Sequence, residues 1–368
     1  MMVRVIVLLG ILAGTLPGSI LAAEPPVETK NALSGSSSLA DGNEEKQPLL
    51  PFLEVQSAKI STRYNYVETD LGVTTKNAQQ HKEAFGFRFR FDRAGKYSLN
   101  TVAGSGSGFT SSWDSLGIGS DWSSNLNFRE LFLSLKPWKE LNLQYGGMSI
   151  ARGAATEITT YDNDAFIVGA RVSIKSPKRL FFDEITGTLA YLGDVNEPDV
   201  FRRLDRLDES NYHQVVVAKK IGKRATVSGE FASLSGIATL RQAVQVKVPE
   251  LKVIDSVRFE NYQRVEGRKD YGYAIQVDKR VHKMLALGGG FADIDRYYGG
   301  LNGDRFNKGK RIFAQAKIDI LQSLEAEVFI QQAVANGYSI SNDVRLDLVL
   351  TYDLLPDIRK LGIFRTPR

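Results

Sequence analysis

The stretch AFGFRFRFD, residues 84–92, decides how this sequence is read. In an extended chain Phe85, Phe87, Phe89 and Phe91 fall on one side, and Gly86, Arg88, Arg90 and Asp92 on the other. Successive side chains of a strand point to opposite faces, so this segment has one oily and one ionised face. A helical period accounts for none of it.

Working outward, the same alternation recurs along the chain. VRLDLVLTYDL (344–354) sets Val344, Leu346, Leu348, Leu350 and Tyr352 against Arg345, Asp347, Thr351 and Asp353. RIFAQAKIDI (311–320) sets Ile312, Ala314, Ala316, Ile318 and Ile320 against Arg311, Gln315, Lys317 and Asp319. LEAEVFIQ opposes Leu324, Ala326, Val328 and Ile330 to Glu325, Glu327 and Gln331, and FIVGARVSIK opposes Phe166, Val168, Ala170, Val172 and Ile174 to Gly169, Arg171, Ser173 and Lys175. A soluble sandwich also alternates, but its strands cluster near ~5–6 residues, whereas a tilted strand crossing a bilayer needs ~9–11. These segments match the second figure.

Sixteen strands are predicted: 55–67, 84–92, 97–106, 127–136, 141–149, 166–175, 182–192, 212–221, 224–234, 237–248, 256–266, 271–281, 284–294, 311–321, 324–334 and 344–354. Their connections alternate. Short ones such as PWKE (137–140), Gly222 with Lys223, and Gln322 with Ser323 mark one side. Long Gly-, Ser-, Asn- and Asp-rich ones such as RYYGGLNGDRFNKGKR mark the other, with exceptions at Ser235–Gly236 and at GRKD (267–270). Short turns inside and long loops outside are the arrangement of outer-membrane barrels. The expected fold is therefore all-β, a transmembrane antiparallel up-and-down β-barrel of about 16 strands, with 14–18 compatible with the pattern.

The ends of the chain fit that reading. MMVRVIVLLGILAGTLPGSILAAEPP has the basic start, apolar run and small residues of a signal peptide, assigned to residues 1–23. Residues 24–50, rich in Ser, Gly, Pro and Glu, are expected to be a disordered periplasmic linker, residues 51–354 the barrel, and residues 355–368 a C-terminal tail. The chain carries a net charge of +5 while the linker is acidic, so the excess positive charge belongs to the barrel. The absence of cysteine excludes thiolate metal sites, cysteine nucleophiles and disulfide scaffolds.

In a barrel the ionised faces must line the lumen, because a lipid-facing Arg at the bilayer midplane costs ~2–4 kcal/mol. The expected pore-lining residues are Lys59, Arg63, Arg88, Arg90, Arg171, Lys175, Lys317, Asp319, Glu325, Glu327, Arg345, Asp347 and Asp353. Basic residues of the first two strands and acids of the last two would orient anionic or dipolar solutes, or else pair across neighbouring strands. Interfacial aromatic belts are expected from Phe91, Tyr97, Trp138, Phe181, Phe182 and Tyr352 at the turn side. Tyr64, Tyr66, Phe166, Tyr191, Tyr212, Tyr271, Tyr273 and Phe291 would form the belt at the loop side.

Other chemistry finds little support. Asp162, Asn163 and Asp164 with Thr159 and Thr160 could offer oxygen ligands to Ca²⁺, but these are ordinary loop residues, and no metal or cofactor is expected. His81, His213 and His282 fall in a loop, a strand and a turn, and no serine with a second acid accompanies His213, so the chain is read as a non-enzyme. GSGSG at 104–108 opens no helix, and the basic runs RRLDR and KRVHK do not suggest nucleic acid.

The alternating strands, the leader and NFRELFLSLKPWKELNLQYGGMSIARGAATEITTYDNDAFIVGARVSIK (127–175) resemble the Gram-negative outer-membrane porins, the broad group that includes alginate-export and phosphate-selective channels. The resemblance departs at Gly146, followed by Gly147 and Met148 where such channels often carry an Arg-Gln pair. It departs again after Leu354, where LPDIRKLGIFRTPR replaces a terminal aromatic. It implies an outer-membrane channel for passive diffusion of small hydrophilic solutes, with lipid and lipopolysaccharide as neighbours, and leaves monomer or homotrimer open. A non-conducting barrel used in adhesion or envelope assembly, and a polysaccharide export channel, are the alternatives.

Overall fold

The computed structural model describes residues 49–69, 71–108, 112–153, 166–175, 181–194, 197–265, 271–295, 306, 309–335 and 344–367. The chain divides into two units, Met1–Glu44 and Glu45–Arg368. The first unit, which spans the segments expected to be the leader and most of the linker, lies outside the described residues, and everything below concerns the second.

The elements are β1 (Leu50–Glu68), β2 (Thr74–Arg90), β3 (Tyr97–Ser105), β4 (Asp114–Ile118), β5 (Leu126–Leu135), β6 (Leu141–Ser149), β7 (Phe166–Lys175), β8 (Glu184–Tyr191) and β9 (Tyr212–Ile221). There follow β10 (Ala225–Leu234), β11 (Ile237–Lys247), β12 (Ser256–Arg264), β13 (Tyr271–His282), β14 (Leu285–Ile294), β15 (Gly309–Leu321), β16 (Leu324–Ala335), β17 (Val344–Asp353), the helix α1 (Leu355–Leu361) and β18 (Phe364–Arg365). β4 and β18 stand outside the ring. The remaining sixteen strands each pair antiparallel with their neighbours, and β17 returns to β1 in register from Lys59 opposite Asp353 to Glu68 opposite Val344. The barrel is closed, which removes the unpaired edges an open sheet would expose.

Alternation sets the two sides of this wall. Val172 is 45 % exposed while its neighbour Arg171 is 8 % exposed. The apolar set continues around the ring through Leu189, Val215, Phe231, Phe259, Ile275, Ile312 and Leu350, all exposed. Cross-strand partners share a face, so the register carries the orientation from strand to strand. The Ser235–Gly236 connection, with φ of 49° and 83°, is a two-residue hairpin turn with both residues left-handed, which ties β10 to β11 with no outer loop.

One expectation is corrected here. The first connection, expected to be a long loop over 68–83, is short, because β2 begins at Thr74 and pairs with β1 along its length. The segment TTKNAQQHKEA is polar on both faces, so it carries no oily stripe from which to read a strand. The chain after Leu354 turns into α1, capped at Gly362 (φ 67°), and β18 then pairs parallel with the start of β1.

Glycine-rich β14 pairs fully with β13 and β15. A Cβ on Gly290 would stand 1.9 Å from the Ile275 carbonyl oxygen and 2.8 Å from Cζ of Phe313, so close approach of backbone and ring requires glycine there.

Candidate functional site

The face opposite the exposed apolar band is polar. Its register brings Lys59 beside Asp353, and Arg63 beside Gln80, with Arg63 Nη2 donating to Gln80 Oε1 at 2.8 Å. Arg63 also lies 4.3 Å from the ring centre of Trp113, which enters from the segment between β3 and β4. Arg345 pairs with Asp347 at 2.7 Å, and Asp347 accepts a bond from Asn65 Nδ2. Lys317 pairs with Glu325 at 2.8 Å and has Glu327 as its cross-strand partner, while Asp319 pairs with Arg280 at 3.5 Å. Lys175 pairs with Glu184 at 3.2 Å. Most of these acids and bases thus meet in short-range pairs between near neighbours along the wall, those of β16 and β17 included, instead of facing across the lumen from separate arcs.

Arg88 and Arg90 behave differently. Both bend towards the turn after β2, where Arg88 Nη2 donates to the Gly95 carbonyl and Arg90 Nη2 to the Arg93 carbonyl, each at 2.8 Å. Gly95 has φ of 66°, and a Cβ there would stand 2.5 Å from Arg90 Nη2, so glycine makes room for the guanidinium. Carbonyls hold these cations in place without cancelling their charge. The nearest carboxylate contact is Glu54 to Arg88 at 4.0 Å.

A cavity of 440 Å³ opens on the same face of β5–β8, lined among others by Glu130, Asn142, Gln144, Arg171, Ser173 and Thr186. Arg171 Nε donates to Thr188 Oγ1 at 3.2 Å, which fixes the guanidinium at the cavity wall.

Residues outside the expected pore-lining set complete the lumen face. Glu230 and Arg241 pair at 2.8 Å and are 2 % and 3 % exposed, with Tyr262, 5.4 Å away, under the Arg241 guanidinium. Arg258, Glu260, Arg311 and Gln331 are buried on the same face. The alternation Arg258, Glu260, Tyr262, Arg264 in VRFENYQR was a readable signal for this layer. An aromatic cluster was not readable. Phe306, 2 % exposed, packs on Phe313 (4.7 Å between ring centres) and Phe329 (6.2 Å), with Ala274, Ala292 and Ile294 around them. Phe313 and Phe329 lie on the polar face, where the simple in–out rule expects no phenylalanine.

Of the aromatics expected in the belts, Phe91, Tyr97, Trp138, Phe181, Tyr271 and Tyr352 are exposed, and Phe182 and Tyr191 are half-buried. Tyr212 is not a belt residue. Its cross-strand partners Ala190 and Leu234 place it on the inward face with Gln214, and it is fully buried. Phe166 has the outward parity of Val168, but Arg203 stacks on its ring at 4.6 Å and covers it. Arg203 belongs to a segment of two 3-10 turns between β8 and β9 that lies on the outer wall. There Val200 seats over Gly147, whose missing side chain leaves 2.0 Å between a Cβ and Val200 Cγ2. Burial lowers the Arg203 guanidinium to about 10, against the opposing pull of Glu197 and Asp194.

His213 has Ser210 Oγ at 2.9 Å from Nε2, but among the described residues no carboxylate contacts the ring. The described residues contain no cluster of three His, Asp or Glu placed to hold a metal. The oxygen-rich loop segment 159–164 lies outside the described residues.

No family model matches the sequence, and no curated protein matches it. In structure the chain is similar to a substituted form of the Rh. blastica porin, with TM-score 0.54, 9 % identity, and coverage of 82 % of this chain and 99 % of that one. Acinetobacter baumannii OccAB1 gives 0.53 at 10 % identity, covering 84 % and 99 %, and Salmonella typhi OmpF, solved in complex with daunomycin, gives 0.52 at 13 %, covering 82 % and 97 %. The fold is that of the Gram-negative outer-membrane porins.

Proposed function

We propose that this protein is an outer-membrane channel for passive diffusion of small hydrophilic solutes, with a preference for anions. One observation carries the reading: a closed ring of sixteen strands is apolar outside and ionised within. A wall of that kind is stable only with lipid on one side and water on the other, and about sixteen strands enclose an aqueous passage. Among the described residues no helix is long and apolar enough to cross a membrane. The leader at 1–23 supplies export, and lipopolysaccharide phosphates are natural neighbours for a body with excess positive charge.

The anion preference rests on Arg88 and Arg90. Several other charges of the lumen face are compensated in pairs, whereas these two guanidiniums are held by carbonyls at the turn-side mouth. A low-dielectric wall focuses the field of such charges into the passage.

Planar-bilayer recording of the refolded protein tests both levels. Discrete ohmic steps are expected, and silence would favour a non-conducting barrel, a reading that the buried layer around Glu230, Arg241 and Glu260 also suits. Changing Arg88 and Arg90 together to Ala should lower anion over cation permeability several-fold. An unchanged reversal potential would remove these residues from selectivity.

A further inference from the structure

The C-terminal tail, residues 355–367, returns to the barrel wall. Two contacts anchor it, Tyr352 Oη donating to Asp357 Oδ2 at 2.6 Å and Leu50 N to Ile363 O at 3.0 Å, while just before it Leu354 N donates to Ala58 O at 2.8 Å. Within the tail, Arg359 Nε donates to Thr366 Oγ1 at 3.1 Å and Lys360 pairs with Asp357 at 2.9 Å. β18 then pairs parallel with the first residues of β1, Phe364 opposite Leu50 and Arg365 opposite Glu54. β17 pairs with β1 only from Lys59 onward, so β18 occupies the edge of β1 that β17 leaves uncovered.

That register has an electrostatic result. Glu54 is the cross-strand partner of Arg88 on one side and of Arg365 on the other. Three guanidiniums, those of Arg88, Arg90 and Arg365, therefore gather at the turn-side mouth, and Arg365 and Arg88 both repel Arg90. The acids nearby are already engaged: Glu54 Oε1 accepts from Gln56 Nε2 at 3.0 Å and Glu54 stands 4.0 Å from Arg88, while Asp92 accepts the Tyr97 N–H at 2.9 Å. The Nε–H groups of Arg88 and Arg90 are buried and have no hydrogen-bond partner among the described residues. Arg90 and Arg365 form no ion pair among the described residues.

We propose that the tail is a working part of the channel mouth: it sets Arg365 beside Arg88 and Arg90 to complete a binding site for small inorganic anions, and so contributes to ion selectivity. The proposal rests on the channel reading above. Three clustered guanidiniums around one partly shared carboxylate favour an anion over a neutral solute, because like charges need a counter-ion.

The sequence contains no cysteine, so labelling can be confined to one position. Reversal potentials would be measured in a KCl gradient for the full chain, for Arg365→Ala, and for Arg365→Cys before and after a thiol reagent bearing an ammonium group. Loss of one of three clustered charges should lower the chloride over potassium permeability ratio about two-fold, and the cationic label should restore it. A Leu50→Cys, Phe364→Cys double variant should also form a disulfide in the membrane-inserted protein, a readout independent of conduction. Absence of that cross-link overturns the proposal. So does a reversal potential that moves with Arg88→Ala and Arg90→Ala but not with Arg365→Ala, an outcome that leaves the channel itself intact. Silence in every bilayer would instead overturn the channel reading, and with it the role in selectivity, even if the cross-link forms.

Discussion

A single residue can fix how crowded the lumen is. Glu230 and Arg241 are sealed from water on the inward face, each nearly inaccessible, with the Tyr262 ring closing one side. A buried pair of this kind is costly to break from one end, because the surviving charge keeps its desolvation penalty without its partner. Glu230→Ala is therefore expected to lower stability by ~3 kcal/mol, whereas replacing both residues by apolar ones of similar volume should cost much less. Urea unfolding in detergent, followed by the mobility difference between folded and unfolded forms on unheated gels, checks this. The same scale shows where a sequence misleads. Arg88 and Arg90 were legible because alternation alone gives their side. Tyr212 was not, since YHQVVVAKKI carries apolar residues at both parities and only the pairing with Ala190 and Leu234 settles its direction. Phe306, Phe313 and Phe329 escaped for the opposite reason: phenylalanine on the polar side violates the rule that made the other strands readable.

Among the elements, β4 and the segments around it form a small polar structure of their own. Asp114, 1 % exposed, accepts bonds from Asn125 N at 2.7 Å, Asn125 Nδ2 at 2.8 Å, Ser123 Oγ at 3.1 Å and Gly106 N at 3.2 Å. Burial by itself would raise its pKa, but the donors from Asn125, Gly106 and Ser123 prevail and hold the carboxyl below its usual range. A carboxylate depressed in the folded state contributes stability above its unfolded pKa and loses it as pH falls through the folded value. Acidification through and below the usual carboxylate range should thus loosen this segment and draw the adjacent Trp113 away from Arg63. Tryptophan fluorescence with acid-protease cleavage should report that change. Asp114→Asn should cost about 2 kcal/mol locally and flatten the pH dependence. β4 was invisible beforehand because DSLGI has neither length nor clear alternation, and its partner Gln79–His81 lies in the polar half of β2. The long, two-faced strands were legible almost to the residue, since lipid and water impose opposite demands on alternate side chains. Where both faces meet water, as in Thr74–Glu83, or where a tail folds back, as in β18, that demand disappears and the signal with it.

For the whole molecule, the decisive property is which side of the wall meets lipid. Leu348 belongs to the exposed apolar band near the middle of β17, and Val349 next to it lies on the inward face, paired with Arg63. Leu348→Arg should cost ~2–4 kcal/mol in a bilayer, while Val349→Arg should cost far less, as measured by unfolding from liposomes. Equal costs would contradict the assignment of the two faces. The seam carries a consequence for biogenesis. Ser61 and Thr351 share a 2.9 Å hydrogen bond although 290 residues separate them. Contacts so remote along the chain are slow to form, since the intervening loop must be closed before they repay its entropy. The first strand must accordingly wait, with one edge open, until nearly all of the polypeptide has arrived. A chain interrupted before Val344 would keep two sticky edges that invite pairing with other molecules, which makes protection of the first hairpin during delivery a requirement written into the order of synthesis.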